Sequence, residues 1–330
     1  MCSNAPKPQA RGPPRTGDIL PRDLFRARAH ASDSRVAGCL ARFGAIRVGM
    51  SNWSSGFVEV DGARLHYHRT GGGKPAIVMA HGLTDNGLCW TRVARDLEPE
   101  YDVVMYDARG HGQSTAASAD DARDVPATDL VRLTGVLGID RPSLLGHSMG
   151  AVTVALAAAL EPSAFRCAVL VDPPLRMDQG AGRLEDIEPP VGNEWWEQWR
   201  QAVVEERSLP QATLLAACQA RCPGWAAIEQ ECWVRAHREV DPTVFDVRYP
   251  MHGPWQREAA RMRCPVLFIT GDPQLGALAD RVAAEELVRR VERGRLVRIS
   301  GAGHSVHRDR YDDFMHQVHA FLALASAEGS

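Results

Sequence analysis

Ser148 stands at the centre of Gly146-His147-Ser148-Met149-Gly150, a G-x-S-x-G pentapeptide. A serine hydroxyl is a poor nucleophile until a neighbouring base takes its proton and a carboxylate holds that base in place. The pentapeptide lies between an apolar run, Pro142 to Leu145, and an alanine-rich helical pattern, Ala151 to Leu160. A serine between a strand and a helix occupies a sharp turn with strained dihedrals. The residues two places either side of it must be small, which accounts for the two glycines. Such a turn lifts the hydroxyl above the sheet. It also leaves the Met149 N–H free at a helix N-terminus, where a developing oxyanion can bind.

The expected chain order on this arrangement is serine, then acid, then histidine. His304 fits the base, because it follows the last expected strand within Gly301-Ala302-Gly303-His304, a loop able to reach back to the serine. His307, His316 and His319 compete, the last two from a closing helix. Asp272, at the end of the preceding strand, fits the acid that accepts from the His304 ring. Asp172, one strand earlier, is its rival; the alternative role for Asp172 is to cap a strand end ahead of Pro173-Pro174. The second oxyanion donor is expected from the loop after Ala80, where His81-Gly82 turns tightly and offers the Leu83 N–H beside that of Met149. His81 itself reads as a structural residue bonded to loop carbonyls.

These residues need a scaffold, and the surrounding pattern supplies one. Phe57 to Val60 and Arg64 to Arg69 read as strands around an Asp61-Gly62 turn. Ala76 to Ala80, Val103 to Tyr106, the run into Ser148, Cys167 to Val171, Cys264 to Thr270 and Arg295 to Ile299 are short apolar strands. Helical patterns at Leu88 to Leu97, Thr128 to Leu137, Ala151 to Leu160, Leu278 to Val291 and Tyr311 to Leu324 alternate with them. This predicts an α/β fold, a doubly wound and mostly parallel sheet flanked by helices, with ligands outside the carboxyl ends of the strands. His81, Asp107, Ser148 and Asp172 all fall at such ends.

The rhythm breaks between residues 174 and 260, predicting a helical cap inserted between the sixth and seventh core strands. The core is then expected at 55–173 and 261–325. The insertion holds Trp195, Trp196, Trp199, Trp225, Trp233 and Trp255, six of the eight tryptophans. Trp195, Trp196 and Trp199 share a helix face and are expected either to line the substrate pocket or to form the insertion's own core. Its 9 arginines against 14 acidic residues favour neutral or cationic substrates over anionic ones.

Residues 1–54 are expected to form a disordered extension. They carry nine basic residues up to position 50 and no apolar signal-peptide core; an organelle transit peptide, or initiation at Met50, are the other readings. A net charge of −3 argues against a general nucleic-acid binder. No run of about 18 apolar residues is present, so no membrane span is expected. The eight cysteines form no regular framework, which suggests a reducing, cytoplasmic setting. Cys218, Cys222, Cys232 and His237 depart from zinc-site spacings, so no metal is expected. Gly71 to Gly73 lacks a following G-K-[ST], so no phosphate loop is expected. The expected partner is a small-molecule substrate.

Together the H-G-L stretch, Asp107-Ala108-Arg109-Gly110-His111-Gly112-Gln113-Ser114, G-H-S-M-G, the Gly271-Asp272 strand end and A-G-H resemble the α/β-hydrolase superfamily. The likeness is to its capped, esterase-like and lactonase-like serine hydrolases and covers roughly residues 56 to 325. It implies Ser148 as nucleophile, His304 as base, Asp272 as acid, Leu83 and Met149 as oxyanion amides, and no cofactor. Ser148 separates the chain from members with aspartate at the turn. The expected activity is cleavage of a carboxylic ester or lactone. A carbon–carbon bond hydrolase, which needs cations for its substrate carboxylate, and a cofactor-free haloperoxidase or perhydrolase share the triad. A ligand-binding module with vestigial turnover is the alternative of another class.

Overall fold

The computed structural model describes residues 53–122, 124–175, 194–247 and 255–327. Most of the expected extension, and the first part of the expected insertion, lie outside these residues. The chain opens with β1 (Ser54–Val60) and β2 (Ala63–Arg69), an antiparallel hairpin. Its turn residues Asp61 and Gly62 both have positive φ, 42° and 80°, the geometry that matches strand twist in a two-residue hairpin. Then follow β3 (Ala76–Ala80), α1 (Thr91–Leu97), β4 (Asp102–Tyr106), α2 (Val125–Val136), β5 (Ser143–His147), α3 (Met149–Leu160) and β6 (Ala168–Val171). Helices α4 (Glu194–Ser208), α5 (Gln211–Arg221), α6 (Ala227–Glu239) and α7 (Trp255–Ala259) stand between β6 and β7 (Val266–Thr270). The chain closes with α8 (Arg281–Arg290), β8 (Gly294–Arg298), α9 (Val306–Asp309) and α10 (Tyr311–Ala327).

The strands form one eight-stranded sheet in the order β1-β2-β4-β3-β5-β6-β7-β8, parallel from β4 to β8. The α/β expectation holds, with helices inserted after the sixth strand. Strands β3 to β7 are buried along nearly their whole length, as parallel strands covered on both faces must be. Alternate residues serve the two faces. Val78, Val104, Leu144 and Leu170 pack against α2, α3 and α8 through Leu130, Val152 and Leu287. Ile77, Met79, Met105, Leu145 and Val169 pack against α1 and α10 through Leu97, Phe314, Val318 and Phe321.

Helix α3 begins at the serine and is buried along most of its length. Its small residues allow it to lie close on the sheet. A side chain at Gly150 would overlap the Ala80 carbonyl, and one at Gly146 would overlap the Gly150 carbonyl. Both glycines are therefore required by backbone approach. Among the described residues, no helix is long and apolar enough to cross a membrane.

Candidate active site

The turn at Ser148 joins β5 to α3 with φ 54° and ψ −116°, a conformation that L-residues rarely adopt. On the neighbouring strand, β3 ends at Ala80 and leads into the loop carrying Leu83. Because β3 pairs with β5 and β5 with β6, the carboxyl ends of all three strands open at one place. Register sets His147 opposite Val171, so Ser148 and Asp172 leave adjacent strands side by side, and the Ser148 N–H donates to the Val171 carbonyl at 3.0 Å. Asp172 also has positive φ, 41°.

The His304 ring comes to Asp172. Nδ1 of His304 donates to Oδ2 of Asp172 at 2.6 Å. The Asp172 carboxylate, 0% exposed, also accepts the Leu278 N–H at 2.7 Å and the Ala279 N–H at 3.2 Å. Burying a carboxylate is unfavourable unless its oxygens are filled by donors, and these three donors fill them.

The expectation that Asp272 holds the histidine is corrected by this geometry. Asp272 lies at the end of β7, one strand further from the serine, and turns to Arg298 at the end of β8 instead. Arg298 donates to its Oδ1 through both Nε, at 2.7 Å, and Nη2. Oδ2 accepts the Gly301 N–H at 2.8 Å and the Ser300 hydroxyl at 3.3 Å. The Gly301 N–H and then Arg298 hold the Asp272 carboxyl below the usual range. Asp272 thus fastens the start of the loop that ends at His304. The capping alternative for Asp172 gives way to its bond with His304.

His147 ends β5, directly before Ser148. Its ring is 4.6 Å from that of His304, and its Nε2–H donates to the His304 carbonyl at 3.0 Å. Burial lowers its pKa and keeps it neutral. Beyond it, Asp85 and Arg308 form a buried ion pair at 2.9 Å. Burial alone would raise the Asp85 pKa, but Arg308 and His147 outweigh it and hold the carboxyl well below the usual range. His307 is also buried, stacked between Trp90 and His147, and burial followed by Arg308 depresses its pKa well below the usual imidazole value. It is a packing residue. His316 and His319 stand on α10.

Leu83 and Met149 are buried together in a cluster with Trp196, Val203, Val244 and Phe245. Met149 opens α3, where the first N–H groups have no helical acceptor. The Leu83 carbonyl is fixed by Nε2 of His111 at 2.6 Å, whose Nδ1 lies 2.8 Å from the Arg109 carbonyl. Two carbonyls favour a doubly protonated ring. Burial, aided by His81, opposes this and lowers the His111 pKa to about 4. His81 donates from Nδ1 to the Gly82 carbonyl and accepts the Ala108 N–H at Nε2.

Trp196 and Trp199 meet edge to face at 5.5 Å, and both contact Phe245. The Trp196 Nε1–H donates to the Phe245 carbonyl at 2.7 Å. The Trp195 side chain lies outside the described residues. His147, Asp85, Arg308 and His111 were not anticipated as parts of the site. Their signals were faint: Asp85 follows the H-G-L stretch by two residues, and Arg308 follows His304 by one helical turn.

Residues 77–317 match the model of the alpha/beta hydrolase family. N-formylmaleamate deformylase of Pseudomonas putida is 37% identical over 131 residues, 39% of this chain and 48% of that protein. The chain therefore spans about half the length of that relative in the match. Serine hydrolase BPHL of Mus musculus is 28% identical over 283 residues, 82% of this chain and 86% of that protein. Among solved structures, N-formylmaleamic acid deformylase from Pseudomonas putida S16 superposes with a TM-score of 0.64 at 23% identity, covering 80% of this chain and 100% of that one. The enol-lactonase from Burkholderia xenovorans LB400 gives 0.57 at 23%, covering 81% and 100%. These likenesses concern the fold; the family match spans most of the chain, and with the glycine-framed serine turn it establishes that this protein belongs to the alpha/beta hydrolase family.

Proposed function

We propose that this hydrolase cleaves a carboxylic ester or lactone of a small hydrophobic molecule through Ser148, His304 and Asp172. The observation that carries the reading is the 2.6 Å bond from His304 Nδ1 to a fully buried Asp172, beside a strained serine turn. That bond puts the proton on Nδ1 and leaves Nε2 with a lone pair, the tautomer a general base requires. In this mechanism Ser148 Oγ attacks the carbonyl carbon as His304 Nε2 takes its proton. The Leu83 and Met149 amides hold the oxyanion. His304 returns the proton to the leaving oxygen, and water, activated by the same base, releases the acyl group. Asp172 accepts from the imidazolium that forms and stabilises it.

Helices α4 to α6 act as the cap, while α7 packs on α3 in the core. Trp196, Trp199 and Phe245, packed beside Leu83 and Met149, exclude water above the oxyanion amides. The names of two relatives by fold, an enol-lactonase and the esterase RhEst1, agree with acyl-oxygen cleavage.

A carbon–carbon bond hydrolase is the second reading. It rests on 35% identity over 127 residues to 2-hydroxy-6-oxononadienedioate/2-hydroxy-6-oxononatrienedioate hydrolase 2 of Pseudomonas putida. That chemistry needs a cation free for the substrate carboxylate. Arg308, the guanidinium nearest in sequence to His304, is enclosed and paired with Asp85.

A panel of p-nitrophenyl esters, lactones and dienoates separates the two, with a fluorophosphonate probe reporting the nucleophile. Ester or lactone turnover lost in Ser148→Ala by about 10⁴-fold or more supports the first reading. Turnover confined to dienoates supports the second.

A further inference from the structure

Two routes connect the cap to the loop that carries His304, and both begin at Trp225. This residue lies between α5 and α6 and packs on the small apolar cluster of Leu214, Cys218, Trp233 and Val234. In the first route its Nε1–H donates to Oδ1 of Asp309 at 2.7 Å. The other oxygen of that carboxylate accepts the N–H of Gly303, the residue before His304, at 2.8 Å. In the second route the Arg308 guanidinium lies 4.7 Å over the Trp225 ring and donates to Asp85 Oδ1 at 2.9 Å. Asp85 Oδ2 lies 3.7 Å from His147 Nδ1, beyond hydrogen-bond distance, so this route is one of packing, while His147 Nε2–H holds the His304 carbonyl at 3.0 Å. The hydrogen-bonded hold of the cap on the loop is therefore the first route, through Asp309 and the Gly303 N–H.

We propose that Trp225 and Asp309 are positioning residues that register the base against the cap. The inference rests on the Ser148–His304–Asp172 reading. Asp309 is an exposed side chain, so water competes for its oxygens and only simultaneous donors keep it in one rotamer. The indole N–H supplies one donor and Gly303 the other. Without the indole the carboxylate swings into solvent, Gly303 loses its acceptor, and His304 drifts from the serine. A general base must lie within about 2.6–3.2 Å of the proton it takes, and a misplacement of about 1 Å can cost 10²-fold. Asp309 touches neither the reacting atoms nor the His304 ring among the described contacts; it acts through the backbone of Gly303.

The test is the rate of fluorophosphonate labelling of Ser148, which needs the base but no knowledge of the natural substrate. Trp225→Phe keeps a ring beneath Arg308 and removes only the N–H. Asp309→Ala removes both acceptors, and Asp309→Ser replaces it if the alanine variant does not fold. Each is measured at least 15 °C below its own melting midpoint. Labelling is expected to slow about threefold in Trp225→Phe and about tenfold in Asp309→Ala, in the maximal rate and not in probe affinity. The double variant is expected to match Asp309→Ala alone, because the indole has then lost its partner. Wild-type rates in Trp225→Phe, losses that multiply in the double variant, or losses confined to probe affinity would each overturn the proposal. Failure of the wild-type protein to label at Ser148 would instead overturn the triad reading beneath it.

Discussion

His304 Nδ1 lies 2.6 Å from Asp172 Oδ2 across a sequence separation of 132 residues. The same carboxylate is pinned by two backbone N–H groups from the segment after β7. Asp172→Asn puts an amide where an acceptor is needed. It should lower kcat about 10³- to 10⁴-fold, while Asp272→Asn, which only loosens the loop start, should cost less than about tenfold. Parallel kcat measurements on one p-nitrophenyl ester decide the ranking, and the reverse order would return the acid role to Asp272.

Gly146 and Gly150 are set by backbone overlap and not by flexibility. Gly150→Ala would force α3 away from the Ala80 carbonyl, and Gly146→Ala would force apart the two arms of the serine turn. Each is expected to cost about 3 kcal/mol in urea unfolding, the upper end of the usual range for overpacking a rigid core. Full stability in either variant would show that the turn can relax.

Asp85 and Arg308 form a pair with side-chain exposures of 8% and 2%. Removing one charge leaves the other buried and uncompensated, so Asp85→Asn and Arg308→Met should each cost about 3–5 kcal/mol. The double variant Asp85→Asn with Arg308→Met should lose less than the sum of the two single losses. Chemical denaturation of the three proteins reads this directly, and additive losses would exclude the pairing.

Acid should weaken the fold in two stages. His111, held to about 4, and His237, held to about 3, are both buried neutral, and burial is the leading cause for each. Their depressed folded values mean that unfolding takes up protons below the ordinary imidazole pKa. Stability is complete above about pH 6.5 and falls as pH drops toward the folded values, by up to about 2.7 kcal/mol per pH unit for two protons. Asp85, also depressed, adds a further loss as pH falls below the ordinary carboxylate value. Melting temperatures from pH 7 to 4 should decline throughout, and a flat profile down to pH 5 would show the two rings protonated in the native state.

Trp196 is 3% exposed, hydrogen-bonded and packed on residues of the serine turn. Trp196→Ala should cost about 3–5 kcal/mol of stability. Changing the half-buried Trp199 should cost less, and its effect should fall on KM for bulky esters. Melting curves and a short ester series read the difference.

Much of this could be read from residue order. The apolar runs gave the sheet, because parallel strands buried on both faces leave long hydrophobic signatures. The serine turn was legible because backbone crowding at Gly146 and Gly150 admits only glycine. The acid was not. Asp172 and Asp272 both end strands, and the choice between them depends on sheet order and on the partner each finds. Strand β6 neighbours β5, whereas β7 lies one place further out, and Arg298 reaches Asp272 across the β7–β8 register. Neither fact leaves a local mark. The same holds for His147 and Arg308, whose meaning depends on Asp85, 223 residues from Arg308.

The late arrival of the groups that complete Asp172 bears on the order of assembly. Its carboxylate emerges on β6, but its donors come from Leu278, Ala279 and His304, after the whole insertion. A nascent chain released early, or a refolding chain whose sheet has formed through β6, carries a strand-end acid with no donors and no base. Secondary structure measured by circular dichroism should therefore recover before fluorophosphonate reactivity does. The gap between the two traces times the docking of the last 50 or so residues, the closure of long-range contacts that chain topology makes slow. On the proposed triad, a chain of the first 300 residues carries Ser148 but not His304, and it should not label with a fluorophosphonate.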